Sequence, residues 1–167
     1  MAVLPVVKFP EAVLKTRTRE VSKITDVERK LVRDMIETMY AENGVGLAAN
    51  QVGVSKRIFV ASPDQVAGKE LVYINPVIFK KEGEIKEFEG CLSIPEFYEP
   101  VRRSKRVWMR AMTLDGGTVE VRADGLLSRI FQHEVDHLDG FLFIDRLGFL
   151  KTKIARKKLT EKFTKIR

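Results

Sequence analysis

The sequence predicts an α+β fold, with an antiparallel β scaffold in the middle of the chain, one helix before it and two after it. Three observations lead there. A capped amphipathic segment runs from Thr25 to Asn43, short β-branched and aromatic runs fill residues 56–121 without long helices between them, and helical periodicity returns from Leu126 onward. Of the 167 residues, 44% are hydrophobic and 32% charged, enough for one core and too few for two, so a single domain over residues 1–167 is expected.

The elements follow in order. Thr25-Asp26-Val27-Glu28 has the form of a capping box, whose hydroxyl and carboxylate satisfy N–H groups that a first helical turn leaves unpaired. Val27, Leu31, Met35, Ile36 and Met39 continue at helical spacing until Asn43-Gly44 stops the run. The chain then enters Gly44-Val45-Gly46-Leu47-Ala48-Ala49-Asn50-Gln51, small residues that let backbone approach either a ligand or a packed neighbour. Strands are expected at Ile58 to Ala61, Leu71 to Ile74, Val77 to Phe79, Val107 to Leu114 and Thr118 to Val121, with a tight turn at Asp115-Gly116-Gly117. Parallel pairing would need crossover helices between these runs, and none is present. A second helix carries Leu126 to about Gly140, and a third covers the basic tail at about 151–167.

The net charge of +7 is local. Eight of the 30 basic residues and one of the 23 acidic residues fall in 151–167, so the rest of the chain is neutral. Lys151, Lys153, Arg156, Lys157, Lys158, Lys162, Lys165 and Arg167 interleave with Leu150, Ile154, Leu159, Phe163 and Ile166, so the apolar face is expected to dock on the body while the basic face stays wet. A solvated terminal helix and a contact with a polyanion, nucleic acid or membrane surface, both fit this pattern. No apolar stretch approaches the roughly 18 to 20 residues of a membrane helix, and no basic-then-apolar signal region opens the chain. A cytoplasmic protein is therefore expected, a processed organellar form staying open. The one cysteine forms no internal disulfide, which fits a reducing compartment.

Both histidines and the cysteine fall inside motifs. His133 and His137 bracket Glu134 on the second helix; four residues apart, they differ by about 40° around the axis and present their rings on one face. Cys91 sits in Glu89-Gly90-Cys91-Leu92-Ser93, and the chain has no other thiol or imidazole. A transition metal bound through such side chains would use Cys91, His133 and His137, leaving one position for water. Glu134 and Asp136 flank the histidine face equally; the longer side chain and the H-E-x-x-H mechanics select Glu134 as general base and leave Asp136 behind the ligands or at the surface. The Leu92 N–H and the Gln51 amide are candidate oxyanion donors, the latter if the small-residue loop folds over the metal. Leu126 and Ile130 project near the histidine face as core or as an apolar wall; Arg129 projects on the other flank, either solvated or against substrate. Thiol catalysis by Cys91 with a histidine would leave Glu134 between paired imidazoles without a purpose.

Together these motifs resemble the peptide deformylase family, whose blocks G-x-G-x-A-A-x-Q, E-G-C-L-S and H-E-x-D-H-L-x-G are matched by Gly44, Gly46, Ala48, Ala49 and Gln51, by Glu89 to Ser93, and by His133, Glu134, Asp136, His137, Leu138 and Gly140. The resemblance covers about residues 5–150. It implies antiparallel sheets packed around the helix that carries the histidines, and removal of the N-formyl group from formylmethionyl nascent chains with release of formate. It also implies one divalent metal on Cys91, His133 and His137, Fe²⁺ in the cell with Zn²⁺ or Ni²⁺ as substitutes. Glu134 would serve as base and then acid, and Gln51 and Leu92 would hold the oxyanion. The methionine pocket would be lined by Val45, Gly46, Glu89, Leu126, Arg129, Ile130 and His133. By the same resemblance the basic tail suggests a ribosome contact; no membrane and no specific nucleic-acid sequence is expected as partner. Two rivals are a zincin-like protease, which needs a third ligand from a downstream histidine or acid and has no such histidine here, and a non-catalytic basic protein acting through its tail.

Overall fold

The protein is described here by a computed structural model covering residues 2–164; Lys165, Ile166 and Arg167 of the predicted tail helix lie outside them. Helix α1 spans Asp26–Ala41 and opens with the expected capping box. The Thr25 hydroxyl accepts from the Val27 N–H at 3.2 Å, and the Glu28 carboxylate accepts from the Thr25 N–H at 2.8 Å. Its buried stripe runs through Val32, Met35 and Met39. Val27, expected on that stripe, is 64% exposed, because five residues place it about 140° around the axis from Val32.

Strands β1 (Gly46–Ala48), β2 (Ile58–Ala61), β3 (Leu71–Glu82), β4 (Ile85–Cys91), β5 (Ile94–Arg103), β6 (Arg106–Met112) and β7 (Thr118–Asp124) form two sheets. Five of them pair antiparallel in the order β1-β2-β3-β6-β7, while β4 and β5 make a separate antiparallel hairpin. The two runs predicted at 71–74 and 77–79 are one strand, β3, whose register shifts between Ile74 and Val77. Pro76 has no N–H for the ladder there, and the Asn75 side chain bonds instead to both backbone groups of Val21.

Helix α2 (Gly125–Leu138) lies between the large sheet and the hairpin. In β2 all four residues are fully buried: Ile58 and Val60 pack with Met35 and Met39 of α1, whereas Phe59 and Ala61 pack with Phe131 and Leu138 of α2. A strand covered on both faces reads as an unbroken apolar run, as this one does. Phe59, Tyr73 and Phe131 meet at centroid distances of 5.1–5.7 Å and fix the helix on the sheet. Beyond α2 the chain turns at Gly140, whose φ of +82° and whose distance of 2.7 Å from an imagined Cβ to the Lys15 carbonyl oxygen admit no side chain.

Helix α3 (Phe149–Thr164) docks on β5 and on the short 3-10 helix Phe143–Arg146. Its docking face differs from the predicted one. Ala155 and Leu159 are buried and Phe163 packs beside them against Phe9, but Leu150 and Ile154 are 71% and 55% exposed. The i, i+4 row through 155, 159 and 163 faces the core, and Leu150 and Ile154 lie off it. No described helix is long and apolar enough to cross a membrane.

Candidate metal centre

The second half of α2, the end of β4 and the loop after α1 converge on one point. Cys91 Sγ lies 3.2 Å from His137 Nε2, which lies 3.2 Å from His133 Nε2, and all three atoms are within 4.8 Å of one another. Around a tetrahedral ion with metal–nitrogen bonds of about 2.0–2.1 Å and a metal–sulfur bond of about 2.3 Å, the nitrogen–nitrogen edge is about 3.3 Å and the nitrogen–sulfur edge about 3.6 Å. The two short edges approach these values, and three electron-pair donors turned toward one another suit a cation between them. The residues fit a metal ion.

His133 is held from behind through its ring and His137 through its backbone, the His137 Nδ1 having no hydrogen-bond partner among the described residues. Glu89 Oε2 lies 3.0 Å from His133 Nδ1 and, as a carboxylate, accepts its proton, leaving Nε2 free to ligate. The His137 carbonyl accepts from Asn50 Nδ2 at 2.5 Å, tying the end of α2 to the loop after β1. Burial, reinforced by neighbouring His133, holds His137 well below the ordinary imidazole range, so it is neutral. For His133 burial acts the same way, but the hydrogen bonds to Cys91 and Glu89 and the charges of Cys91 and Glu134 outweigh it and raise its pKa: the site attracts positive charge.

Glu89 was expected as a wall of the methionine pocket. It borders the cleft, but its carboxylate is engaged behind His133: Oε1 accepts from Arg103 Nε at 2.8 Å and Arg129 at 2.7 Å, and Oε2 accepts from Arg103 at 3.0 Å and from His133. Burial would raise its pKa, yet the bonds from His133 and Arg103 hold it well below the usual carboxylate range. Arg129 is not solvated; only 6% exposed, it spans the hairpin through Glu87, Glu89 and the carbonyls of Ile85 and Val101. Asp136 lies on the other flank of α2, paired with Arg103 at 2.6 Å and Arg146 at 2.6 Å.

Glu134 is 3% exposed, and its Oε2 has no partner among the described residues. Burial raises its carboxyl to about 7, with the Glu89 charge adding to the rise while His133 and Arg103 oppose it. Gly46 makes room for it, since a Cβ there would stand 2.5 Å from Glu134 Oε1 and 3.0 Å from Ile130 Cγ2. The Gln51 amide is fixed by Oε1 accepting from the Ala48 N–H at 2.9 Å, so Nε2 faces Cys91 Sγ at 3.4 Å and the Ser93 hydroxyl at 3.2 Å.

A cleft of about 460 Å³ opens beside these groups, bordered by Cys91, His133 and Glu134 and lined by Val45, Gly46, Gln51, Leu92, Leu126, Arg129 and Ile130. Ile130 is also core at 4% exposure, whereas Leu126 is 52% exposed at the mouth. Phe88 and Tyr98, absent from the sequence reading, border the same cleft at 72% and 67% exposure. Arg103 and Asn50 were also missed; their partners are distant in sequence, and no local pattern announces them.

The frame, the Cys-His-His donor set and the buried carboxylate beside it define a metal-dependent hydrolase. The profile of the family described as Polypeptide deformylase matches residues 3–153. A peptide deformylase of Thermodesulfovibrio yellowstonii is 46% identical over 97% of this chain and 99% of its own, and one of Symbiobacterium thermophilum is 51% identical over 90% of this chain and 70% of its own. Among solved structures, the peptide deformylase of Legionella pneumophila superposes with a TM-score of 0.91 at 38% identity, covering 99% of this chain and 97% of its own. That of Thermus thermophilus gives 0.91 at 37% identity, covering 99% of each chain. The chain belongs to the peptide deformylase family, hydrolases that remove the N-formyl group from formylmethionine at the start of newly made proteins and release formate.

Proposed function

We propose that residues 1–167 form a single catalytic domain in which Cys91, His133 and His137 hold the divalent metal, Fe²⁺ in the cell with Zn²⁺ or Ni²⁺ able to replace it. The convergence of the three donor atoms within 4.8 Å carries this reading. A thiolate ligand suits soft and borderline ions and makes a ferrous site sensitive to oxidation. When bound, the cation supplies Lewis acidity, polarising the formyl carbonyl and making water acidic enough to attack near neutral pH.

The protein's own groups do the rest. Glu134 takes the proton of the attacking water and passes it to the departing amide nitrogen; its carboxyl, raised to about 7 by burial, is suited to both halves of that transfer. The Leu92 N–H and Gln51 Nε2 donate to the oxyanion, and the contact of Gln51 with Ala48 keeps that donor in place before substrate arrives. The methionine side chain enters along Val45, Gly46, Leu126, Ile130 and the stem of Arg129, with Glu89 holding Arg129 and His133 from behind. The domain works in the cytoplasm on formylmethionyl nascent peptides and meets the ribosome through α3. Exposed Lys151, Lys153, Lys157 and Lys158 beside exposed Phe149, Leu150 and Ile154 support that contact.

The test is formate release from formyl-Met-Ala-Ser by anaerobically purified protein, with metal quantified in the same sample. Glu134→Ala is expected to keep stoichiometric metal and lose turnover by about 10²–10⁴-fold. Cleavage of internal peptide bonds without formate release would defeat the proposal.

A further inference from the structure

The far flank of α2 carries a second cleft that deformylation does not use. Gln132, Val135, Asp136 and Asp139 face it, roughly half a turn around the helix from His133, Glu134 and Ile130. Its volume is about 660 Å³, within the range of small-ligand sites. Arg17, Arg57, Lys81, Arg102, Arg103 and Arg146 line it against Glu84, Asp136 and Asp139. Counting Glu89 behind Arg103, four carboxylates meet six cations.

The cations are graded in depth. Arg57 and Arg103 are buried, with exposures of 5% and 6%, and form fixed walls held by Asp139 and the Pro76 carbonyl on one side and by Glu89 and Asp136 on the other. At the mouth, Lys81 has no ion-pair partner among the described residues, and Arg17 is 74% exposed and 3.9 Å from Asp139. Phe141 supplies a flat apolar surface, with the Arg146 guanidinium 4.9 Å from its ring centroid. Planar guanidinium forks match phosphate oxygens in pairs, and an aromatic–arginine stack accepts a planar ring.

We propose that this cleft is a second binding site, for a phosphate ester of nucleotide size. The phosphate sits against Lys81, with Arg102 and Arg17 turning to it from their exposed contacts with Glu84 at 3.0 Å and Asp139 at 3.9 Å, and the planar part lies on the Phe141–Arg146 stack. A bare oxyanion would fill little of the volume and leave the stack unused.

Titration calorimetry of adenosine monophosphate into the full chain loaded with Zn²⁺, at low salt, tests it, with adenosine and sodium sulfate as comparison probes. One nucleotide per chain is expected, with adenosine and sulfate each at least tenfold weaker. The exposed double substitution Lys81→Glu, Arg102→Glu is expected to weaken the nucleotide at least tenfold and leave formate release unchanged; Lys81→Ala alone, with no ion pair to break, is expected to weaken it several-fold. Amide shift changes should gather at residues 81–84, 102–104 and 139–146. Absence of binding, sulfate binding as well as the nucleotide, affinity indifferent to the substitutions, or shift changes centred on α3 would each overturn the proposal.

Discussion

Replacing Glu89 by Gln changes one atom in the group that connects His133 to the hairpin, and its consequences follow from the geometry. Oε1 serves Arg103 Nε and Arg129, and an amide oxygen can keep that position. The amide NH₂ then replaces Oε2, which now accepts from Arg103 at 3.0 Å and from His133 Nδ1 at 3.0 Å. Donor would face donor at both contacts. For His133 the relief is to move its proton to Nε2, the nitrogen turned toward Cys91 and His137, which removes a metal ligand. Losing such an outer partner weakens metal binding about 10–100-fold, or about 1.4–2.8 kcal/mol. Stability falls as well, because the side chains of Arg103 and Arg129 are 4% and 7% exposed and lose a shared anion. Removing one member of a buried pair costs about 3–5 kcal/mol; each arginine here keeps a second carboxylate, Asp136 or Glu87, so the lower end is expected. A competitive chelator titration reads the first effect and urea unfolding of the holoprotein the second. Metal affinity within threefold of the parent together with an unchanged unfolding midpoint would refute the assigned role of Glu89.

At Gly46→Ala the new methyl meets Glu134 Oε1 and Ile130, so kcat is expected to fall about 10²-fold through a displaced base, with metal content retained and stability lowered by about 1–3 kcal/mol; steady-state kinetics beside metal analysis checks this. Glu28 is held down from 4.5 to about 2, chiefly by Lys56 and then by Thr25. A lowered carboxyl stabilises the fold fully above its unfolded value, near 4.5, and ceases to do so as pH falls through about 2. Glu28→Gln is thus expected to cost about 1–2 kcal/mol at neutral pH, with the difference between variant and parent shrinking below pH 4.5 in urea unfolding series.

What could be read from the sequence was whatever local chemistry repeats. The Thr25–Glu28 cap, the buried run of β2 and the Asp115-Gly116-Gly117 turn depend on neighbours within a few residues, and each occurs in the structure. Strands β4 and β5 gave no signal, because Glu87, Glu89, Glu96, Glu99, Pro95 and Pro100 hide their period; they hold together through pairing with each other and through arginines reaching from α2 and β5. Strand β1 is only three residues, Gly46-Leu47-Ala48, too short to show a period, and the neighbouring β2 makes it a strand. The choice between Glu134 and Asp136 could not be made from helical angles. The structure separates them by what lies beyond each: Gly46 and the cleft for Glu134, Arg103 and Arg146 for Asp136. The donor set was legible because the chain offers a single thiol and two imidazoles, whereas the groups that orient it lie up to 87 residues away from their partners.

The most direct test is X-ray absorption at the zinc edge on the full chain carrying one equivalent of Zn²⁺. One sulfur neighbour at about 2.3 Å and two imidazole nitrogens at about 2.0–2.1 Å are predicted, the sulfur vanishing in Cys91→Ser. A shell of nitrogen and oxygen alone in the parent protein would contradict the convergence of Cys91, His133 and His137 on one ion.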